Sequence, residues 1–169
     1  MTARFTKTLC SRRETEKAAR SLGEAIRSGA PRTRALVIAL RGELGAGKTV
    51  FVKSLARALG ARGAITSPTF ILSRAHRLPA QLPYRALHHM DWYRVRTPRE
   101  LSALGFPKLM RDPTNIVAIE WPERAPRLVP RGAVSISIRH GGSALERIIS
   151  VRNAPTPNRA LAGRRGRTR

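Results

Sequence analysis

The sequence predicts an α/β fold, and three observations carry that expectation. A continuous apolar run at 35–40, "ALVIAL", leads directly into the glycine-rich stretch "RGELGAGKT", which is followed by apolar residues at helical spacing. A second wholly apolar run, "IVAI" at 116–119, ends in an acid, Glu120. A third region, "GAVSISIRH", has apolar residues at alternate positions, and "ERIISVR" after it has the composition of a pairing strand. Short apolar runs fit strands buried on both faces, whereas strict alternation fits a strand with one solvated face.

Taken in order, residues 11–28 read as an amphipathic helix. Ser11 is its N-cap, Glu14 completes a capping box, and Ala18, Leu22 and Ile26 form the apolar stripe. A basic loop at 28–34 leads to the strand at 35–40. Beyond the glycine-rich stretch, residues 50–59 place Phe51, Leu55 and Leu59 on one helical face, and Gly60 supplies a left-handed stop.

Thr66, Ser67, Pro68 and Thr69 form a hydroxyl-rich turn, with a short strand expected at 70–73. Residues 84–90 read as a strand ending in Asp91. The next helix starts with Thr97 as N-cap, Pro98 in its first position and Glu100 in its third; Leu101 and Leu104 are expected to face inward, and Gly105 ends it. Strands at 116–119, around 134–138 and at 146–152 follow. The stretch 152–169 holds six arginines, no acid, and scattered Pro, Gly and Asn, and is expected to be a disordered basic tail. The expected organisation is one domain, 1–151, and that tail.

Gly42, four intervening residues, Gly47, Lys48 and Thr49 have the spacing of a phosphate-cradling loop. Glu43, Leu44, Gly45 and Ala46 are the intervening residues. Glycines let the backbone bend around phosphate oxygens, and amide N–H groups at the helix start converge on the anion. Lys48 is expected to reach the β- and γ-phosphates, and the Thr49 hydroxyl to ligate Mg²⁺. A bare glycine-rich turn binds nothing; the strand before and the helix after select the phosphate-loop reading. Glu43 is expected to point outward, held by a basic neighbour, because a carboxylate aimed at a triphosphate is repelled.

The chain has only 10 Asp plus Glu, which shortens the search for the acid that a nucleotide-bound Mg²⁺ needs. Asp91 and Glu120 both end strands. Glu120 follows the more apolar one and is the first choice for metal ligand, with Asp91 positioning water or standing behind the ligands. The alternative for Asp91 is a cap, or a pair with Arg94. His89 lies on the opposite pleat from His88 and has two readings, structural and catalytic. The hydroxyls of the 66–69 turn are placed to sense a γ-phosphate as switch loops do.

Against those acids stand 33 Lys plus Arg, for a net charge of +23. Such a surface attracts polyanions, and direct RNA contact stands beside an Arg-rich composition without a specific partner. The few aromatics are not interleaved with basic residues, so no stacking platform is evident. The single cysteine, Cys10, excludes a disulfide framework. No apolar stretch reaches the length of a membrane span, and "MTARFTKTLC" lacks the apolar core of a secretory signal. The expectation is a soluble cytoplasmic protein.

"GELGAGKT", "TSPTF", "HMDWYR", "PRELSALGF" and "IEWPER" occur in that order, and together the chain resembles the bacterial TsaE family from about residue 11 to residue 151. The resemblance implies a single P-loop NTPase domain, its central sheet mainly parallel with an antiparallel portion and flanked by helices. It implies a slow ATP hydrolase using ATP and Mg²⁺, with TsaD and TsaB homologues as partners. That pair threonylcarbamoylates adenosine 37 of tRNAs that read ANN codons, and ATP binding and hydrolysis reset or license it. Contact with tRNA is then indirect, or direct through the basic surface and tail; alone the protein is a monomer or low-order oligomer.

Carried onto this chain, the resemblance makes Gly42, Glu43, Leu44, Gly45, Ala46, Gly47, Lys48 and Thr49 the phosphate loop. Glu120 and Thr49 become the Mg²⁺ ligands and Asp91 an acid needed for activity. Thr66, Ser67 and Thr69 fall in a switch-like segment, and Ser11, Arg12 and Thr15 at a nucleoside contact. Glu43 stands where the family has Asp. Trp92 stands where it has Leu, and is expected to pack at a surface or partner seam. The Arg-rich tail has no counterpart. Two other readings stay open: a P-loop kinase using the Arg-rich stretch 74–85 as a lid, and an RNA-binding module with a vestigial loop.

Overall fold

The computed structural model describes residues 2–30, 32–68 and 71–155, with side chains from residue 4 onward. The chain order is β1 (Thr2–Leu9), α1 (Arg12–Arg27), β2 (Leu36–Arg41), α2 (Lys48–Ala58), β3 (Ser73–Arg77), β4 (Ala86–Asp91), α3 (Pro98–Ala103), α4 (Phe106–Arg111), β5 (Asn115–Glu120), β6 (Val134–His140) and β7 (Arg147–Pro155). Two short 3-10 turns, Pro122–Arg124 and Pro126–Leu128, link β5 to β6.

The strands form one seven-stranded sheet in the order β1-β7-β6-β2-β5-β4-β3. Its centre, β6-β2-β5-β4, is parallel. β3 closes one edge antiparallel to β4; at the other, β7 runs antiparallel to β6 and β1 antiparallel to β7. This is the expected α/β architecture. The middle strands are buried on both faces, as "LVIAL" and "NIVAIE" require, and alternate residues enter two cores. Leu36, Ile38, Ile116 and Ala118 meet α1 and α2 through Leu22, Ile26, Phe51 and Leu55. Val37, Val117 and Ile119 face the other way, onto Met90, Trp92, Leu101 and Phe106.

Both helices start at the expected caps, but the Glu14 carboxylate accepts the Cys10 amide and not that of Ser11, so the capping box expected on α1 is only half made. The Ser11 hydroxyl accepts the Glu14 amide, and Thr97 and Glu100 make a capping box with Pro98 behind it. The inward face of α1 is Thr15, Ala19, Leu22, Gly23 and Ile26, with Ala18 at its margin.

Several expectations are corrected. The strand expected at 70–73 is β3 at Ser73–Arg77, a polar edge strand whose position is set by pairing with β4 rather than by its own pattern. The stretch 74–85, weighed as a lid, is that strand and the connection into β4. β1 was not anticipated: it is another edge strand, and among its described side chains, Arg4 to Leu9, all are exposed except Leu9, which enters the core. α4 follows α3 through Gly105 at φ +74°, and Phe106 fills the inward position instead of Leu104, which is 42% exposed. Trp92 is fully buried, edge-on to Phe106 at 5.3 Å, so it belongs to the core and not to a surface seam. β7 runs through Pro155, pairing Arg152 with Ser135 and Ala154 with Ala3; residues 152–155 therefore belong to the sheet, not to a tail. The remainder of the expected tail, 156–169, lies outside the described residues.

Candidate nucleotide site

The site lies where β2, β5 and β4 end side by side. Parallel register sets Leu40 beside Glu120 and Glu120 beside Asp91, so both acids expected from the sequence stand next to the glycine-rich loop.

The loop leaves β2 through Gly42 at φ +150°, where a Cβ would come within 2.2 Å of the Ile138 carbonyl oxygen. Glycine is needed there for space. Gly45 and Gly47, at φ +75° and +103°, have open room and need glycine for the left-handed backbone. Ala46 is tucked into the core, while Leu44 is 78% exposed. Glu43 points outward as expected, its carboxylate 3.9 Å from His140 Nε2. Gly47 is the N-cap of α2 and offers no side chain to the first-turn amides, which leaves those donors for an anion.

Lys48 is buried beneath the loop. Its ammonium donates to the carbonyls of Gly42 at 2.7 Å and Glu43 at 2.8 Å, and lies 3.8 Å from the centroid of the Trp121 ring. Burial pushes the Lys48 pKa below the ordinary lysine value, opposed by the carboxylates of Glu120, Glu123 and Asp91. Trp121 is held in the left-handed region at φ 59°, with its amide donating to Leu40 O at 3.2 Å. Tyr93 packs on Trp121 at 5.0 Å, and Arg124 lies over Tyr93 at 5.5 Å.

Glu120 is the hub. Its Oε2 accepts the Thr49 hydroxyl at 3.0 Å, and its Oε1 lies 2.7 Å from His89 Nε2. Two hard oxygens at that separation match adjacent positions around Mg²⁺, which lie about 3 Å apart in an octahedron with bonds of about 2.1 Å. Among the described residues no group of three or more His, Cys, Asp or Glu could hold a metal unaided. A cation here therefore needs phosphate oxygens and water to complete its shell, which is how Mg²⁺ is held on nucleotides.

Asp91 is 4% exposed; its Oδ1 accepts the Tyr93 amide at 3.0 Å, and its own amide donates to Leu72 O at 3.1 Å. The latter bond ties Leu72, just before β3, to the acid. In that turn Thr66 is exposed and Ser67 half-buried, whereas Thr69 lies outside the described residues. Ser11 and Arg12 are engaged within α1, Ser11 as its cap and Arg12 with Glu16 at 3.1 Å, and Thr15 is buried. α1 lies along α2, with Gly23 against Leu55 and Ala58 and Arg27 donating to Ala58 O. Residue numbers thus ascend together, and the start of α1 lies toward the loop end of α2.

His89, open from the sequence to a structural or a catalytic reading, lies against Glu120. Two neighbours of the site escaped the sequence reading, Trp121 against Lys48 and Tyr93 on Trp121, and only adjacency hinted at them, since Trp121 follows Glu120 and Tyr93 is two residues after Asp91.

A strand–glycine loop–helix unit, with lysine and threonine opening the helix and an acid ending the adjacent parallel strand, defines the class: a P-loop NTPase-type α/β domain. Within that class the chain belongs to the TsaE family, whose sequence pattern, described as "Threonylcarbamoyl adenosine biosynthesis protein TsaE", matches residues 9–149. The tRNA threonylcarbamoyladenosine biosynthesis protein TsaE of Synechocystis sp. is 42% identical over 95 residues, 54% of this chain and 57% of that protein. The protein of the same name from Treponema pallidum is 40% identical over 61% of this chain and 72% of its own length. That from Rickettsia conorii is 30% identical over 78% and 69%. The crystal structure of Bacillus subtilis YdiB has the same fold, with a TM-score of 0.68 at 23% identity over 96% of this chain and 91% of that one. The chain spans 57% of the length of the Synechocystis protein, and it is those relatives that are named for tRNA threonylcarbamoyladenosine biosynthesis. No helix among the described residues is long and apolar enough to cross a membrane.

Proposed function

We propose that this chain is a cytoplasmic Mg²⁺-dependent ATPase that serves threonylcarbamoylation of adenosine 37 in tRNA by acting on a complex of TsaD and TsaB homologues. The observation that carries the reading is the contact of Thr49 Oγ1 with Glu120 Oε2 beside the buried ammonium of Lys48. Bound Mg²⁺ neutralises charge that builds on the phosphates. Thr49 and Glu120 hold it. Lys48 exchanges two loop carbonyls for the β- and γ-phosphate oxygens, and the α2 amides take the remaining charge. Asp91 orients the attacking water. The TsaD and TsaB assignments and the choice of adenine come from the family alone.

A kinase reading loses its lid, since residues 74–85 form a sheet edge and its connection. Slow turnover by the protein alone and faster turnover with TsaD–TsaB are expected. Lys48→Ala abolishes ATP binding, and Glu120→Ala spares binding more than hydrolysis. Full Mg²⁺-dependent hydrolysis by Glu120→Ala overturns the metal assignment, and turnover indifferent to TsaD–TsaB overturns the role.

A further inference from the structure

We propose that a concave arginine-lined groove, at the end of the sheet opposite the phosphate loop, binds the sugar–phosphate backbone of RNA. Two clefts of about 950 and 340 Å³ adjoin there and share Arg77, Leu78 and Ala80. Arg85 lines the larger and Arg62 the smaller. Arg32 sits beside Tyr84, another lining residue of the larger cleft, close enough for its charge to act on the phenol. Four separate segments thus bring exposed arginines together: the loop before β2, the turn after α2, β3, and the connection into β4. Six-residue strands separate this end from Asp91 and Glu120, roughly 20 Å at strand rise.

Arginine is abundant everywhere on this chain, so the lack of acid distinguishes the groove. No carboxylate lines either cleft. The α1–α2 cleft, of about 540 Å³, places Glu16 and Glu24 among Arg20, Arg27 and Arg57, which balances most of its charge. Asp112 borders the larger cleft at Thr114, whose hydroxyl and amide it accepts at 2.6 and 2.8 Å, and the charge of Arg85 also acts on it. Arg62, Arg77 and Arg85 make no ion pair with any described residue.

The groove walls point to phosphate rather than to base or protein. Tyr84 is buried, so no aromatic face is offered for base stacking. The apolar part of the lining is small or half-buried, Ala75, Ala80, Leu82 and Pro83, and none of the exposed large apolar side chains lines either cleft, so no large anchor is offered to a protein partner. Guanidinium forks on a concave, acid-free surface match successive phosphates and read no sequence. The choice of tRNA as the RNA rests on the proposed function; the groove does not.

The test is a salt titration of full-length protein binding to an unmodified tRNA transcript. The groove variant is Arg62→Gln/Arg77→Gln/Arg85→Gln. A control with equal charge loss is Lys17→Gln/Arg20→Gln/Arg57→Gln on α1 and α2. At physiological salt the groove variant is expected to lose affinity on the order of 100-fold, with a log–log salt slope shallower by about 2–3, and the control less than about 3-fold. Equal losses in both variants, undiminished binding by the groove variant, or no tRNA binding by the wild type overturn the proposal. Competition by polyglutamate as strong as by tRNA overturns the RNA assignment. ATP binding read in the same samples verifies the fold, and the single variants Arg77→Gln and Arg85→Gln serve if the triple variant does not fold. Loss of ATP hydrolysis with intact tRNA binding counts against the proposed function and leaves the groove standing.

Discussion

His89 Nε2 lies 2.7 Å from Oε1 of Glu120, and both side chains are buried, at 0% and 2% exposure. The imidazole N–H donates to one carboxylate oxygen and thereby turns the other toward Thr49. The remaining ring nitrogen, Nδ1, is buried without a partner, so the ring is placed by Glu120 and by packing alone. On this geometry His89 is a positioning residue for the metal-binding acid.

His89→Ala is therefore expected to raise the Mg²⁺ concentration needed for hydrolysis about 10–100-fold, the usual cost of losing a group behind a metal ligand. Nucleotide affinity in EDTA should be unchanged. Mn²⁺ titration in the presence of nucleotide, read by EPR, measures the effect without turnover. An unaltered Mn²⁺ affinity removes His89 from this role.

The loop glycines should separate by mechanism. Gly42→Ala drives a methyl into the Ile138 carbonyl and is expected to destabilise the fold by about 1–3 kcal/mol or more. Gly47→Ala has open room and incurs left-handed strain of about 1–2 kcal/mol, with its main effect on nucleotide binding. Urea unfolding of both variants, beside ATP titrations, reads the difference. Equal destabilisation would contradict the assignment of space to one and conformation to the other.

Trp121 supplies the face on which the Lys48 ammonium rests. Trp121→Leu should weaken ATP binding about 2–5-fold, the size of a cation–π contact of about 0.5–1 kcal/mol. The chain has 2 tryptophans, and Trp92 is sealed in the core. The fluorescence change on adding ATP should accordingly survive Trp92→Phe and vanish in Trp121→Leu. A signal that follows Trp92 refutes the placement.

Acid should destabilise the fold through two histidines. Burial holds the pKa of His76 below the ordinary 6.5, helped by electrostatic repulsion from the neighbouring basic side chains His89, Arg74 and His88. Burial also lowers that of His88, against the hydrogen bond its Nε2–H donates to Asn115 Oδ1 and the charge of Asp112. Between the lowered folded value and 6.5 the unfolded chain binds more protons, so stability rises with pH across that window and is complete above it. Urea midpoints measured from pH about 7.5 to about 5 should fall with acid. His76→Leu should flatten the slope; an unchanged slope would place the titration elsewhere.

What could be read without coordinates was whatever a short stretch specifies by itself. "ALVIAL" and "IVAI" are apolar throughout and read as interior strands of a covered sheet. The spacing from Gly42 to Thr49 sets a phosphate loop because neighbouring amides build it, and Ser11 and Thr97 cap their helices through residues three positions on. Asp91 and Glu120 could be picked out because acids are so few and both end strands. Tertiary structure decided what depends on partners distant in the chain. β1 and β3 are polar edges whose strand state comes from the hydrogen bonds of a neighbour, so their own patterns carry no signal. Trp92, flanked by polar residues, is buried because Phe106 comes from another helix to meet it. The bond from His89 to Glu120 requires β4 and β5 to lie in parallel register, and the arginine groove requires four segments to meet. Local hydrogen bonding and hydrophobic period are written in consecutive residues, whereas register and convergence arise only once the chain has folded.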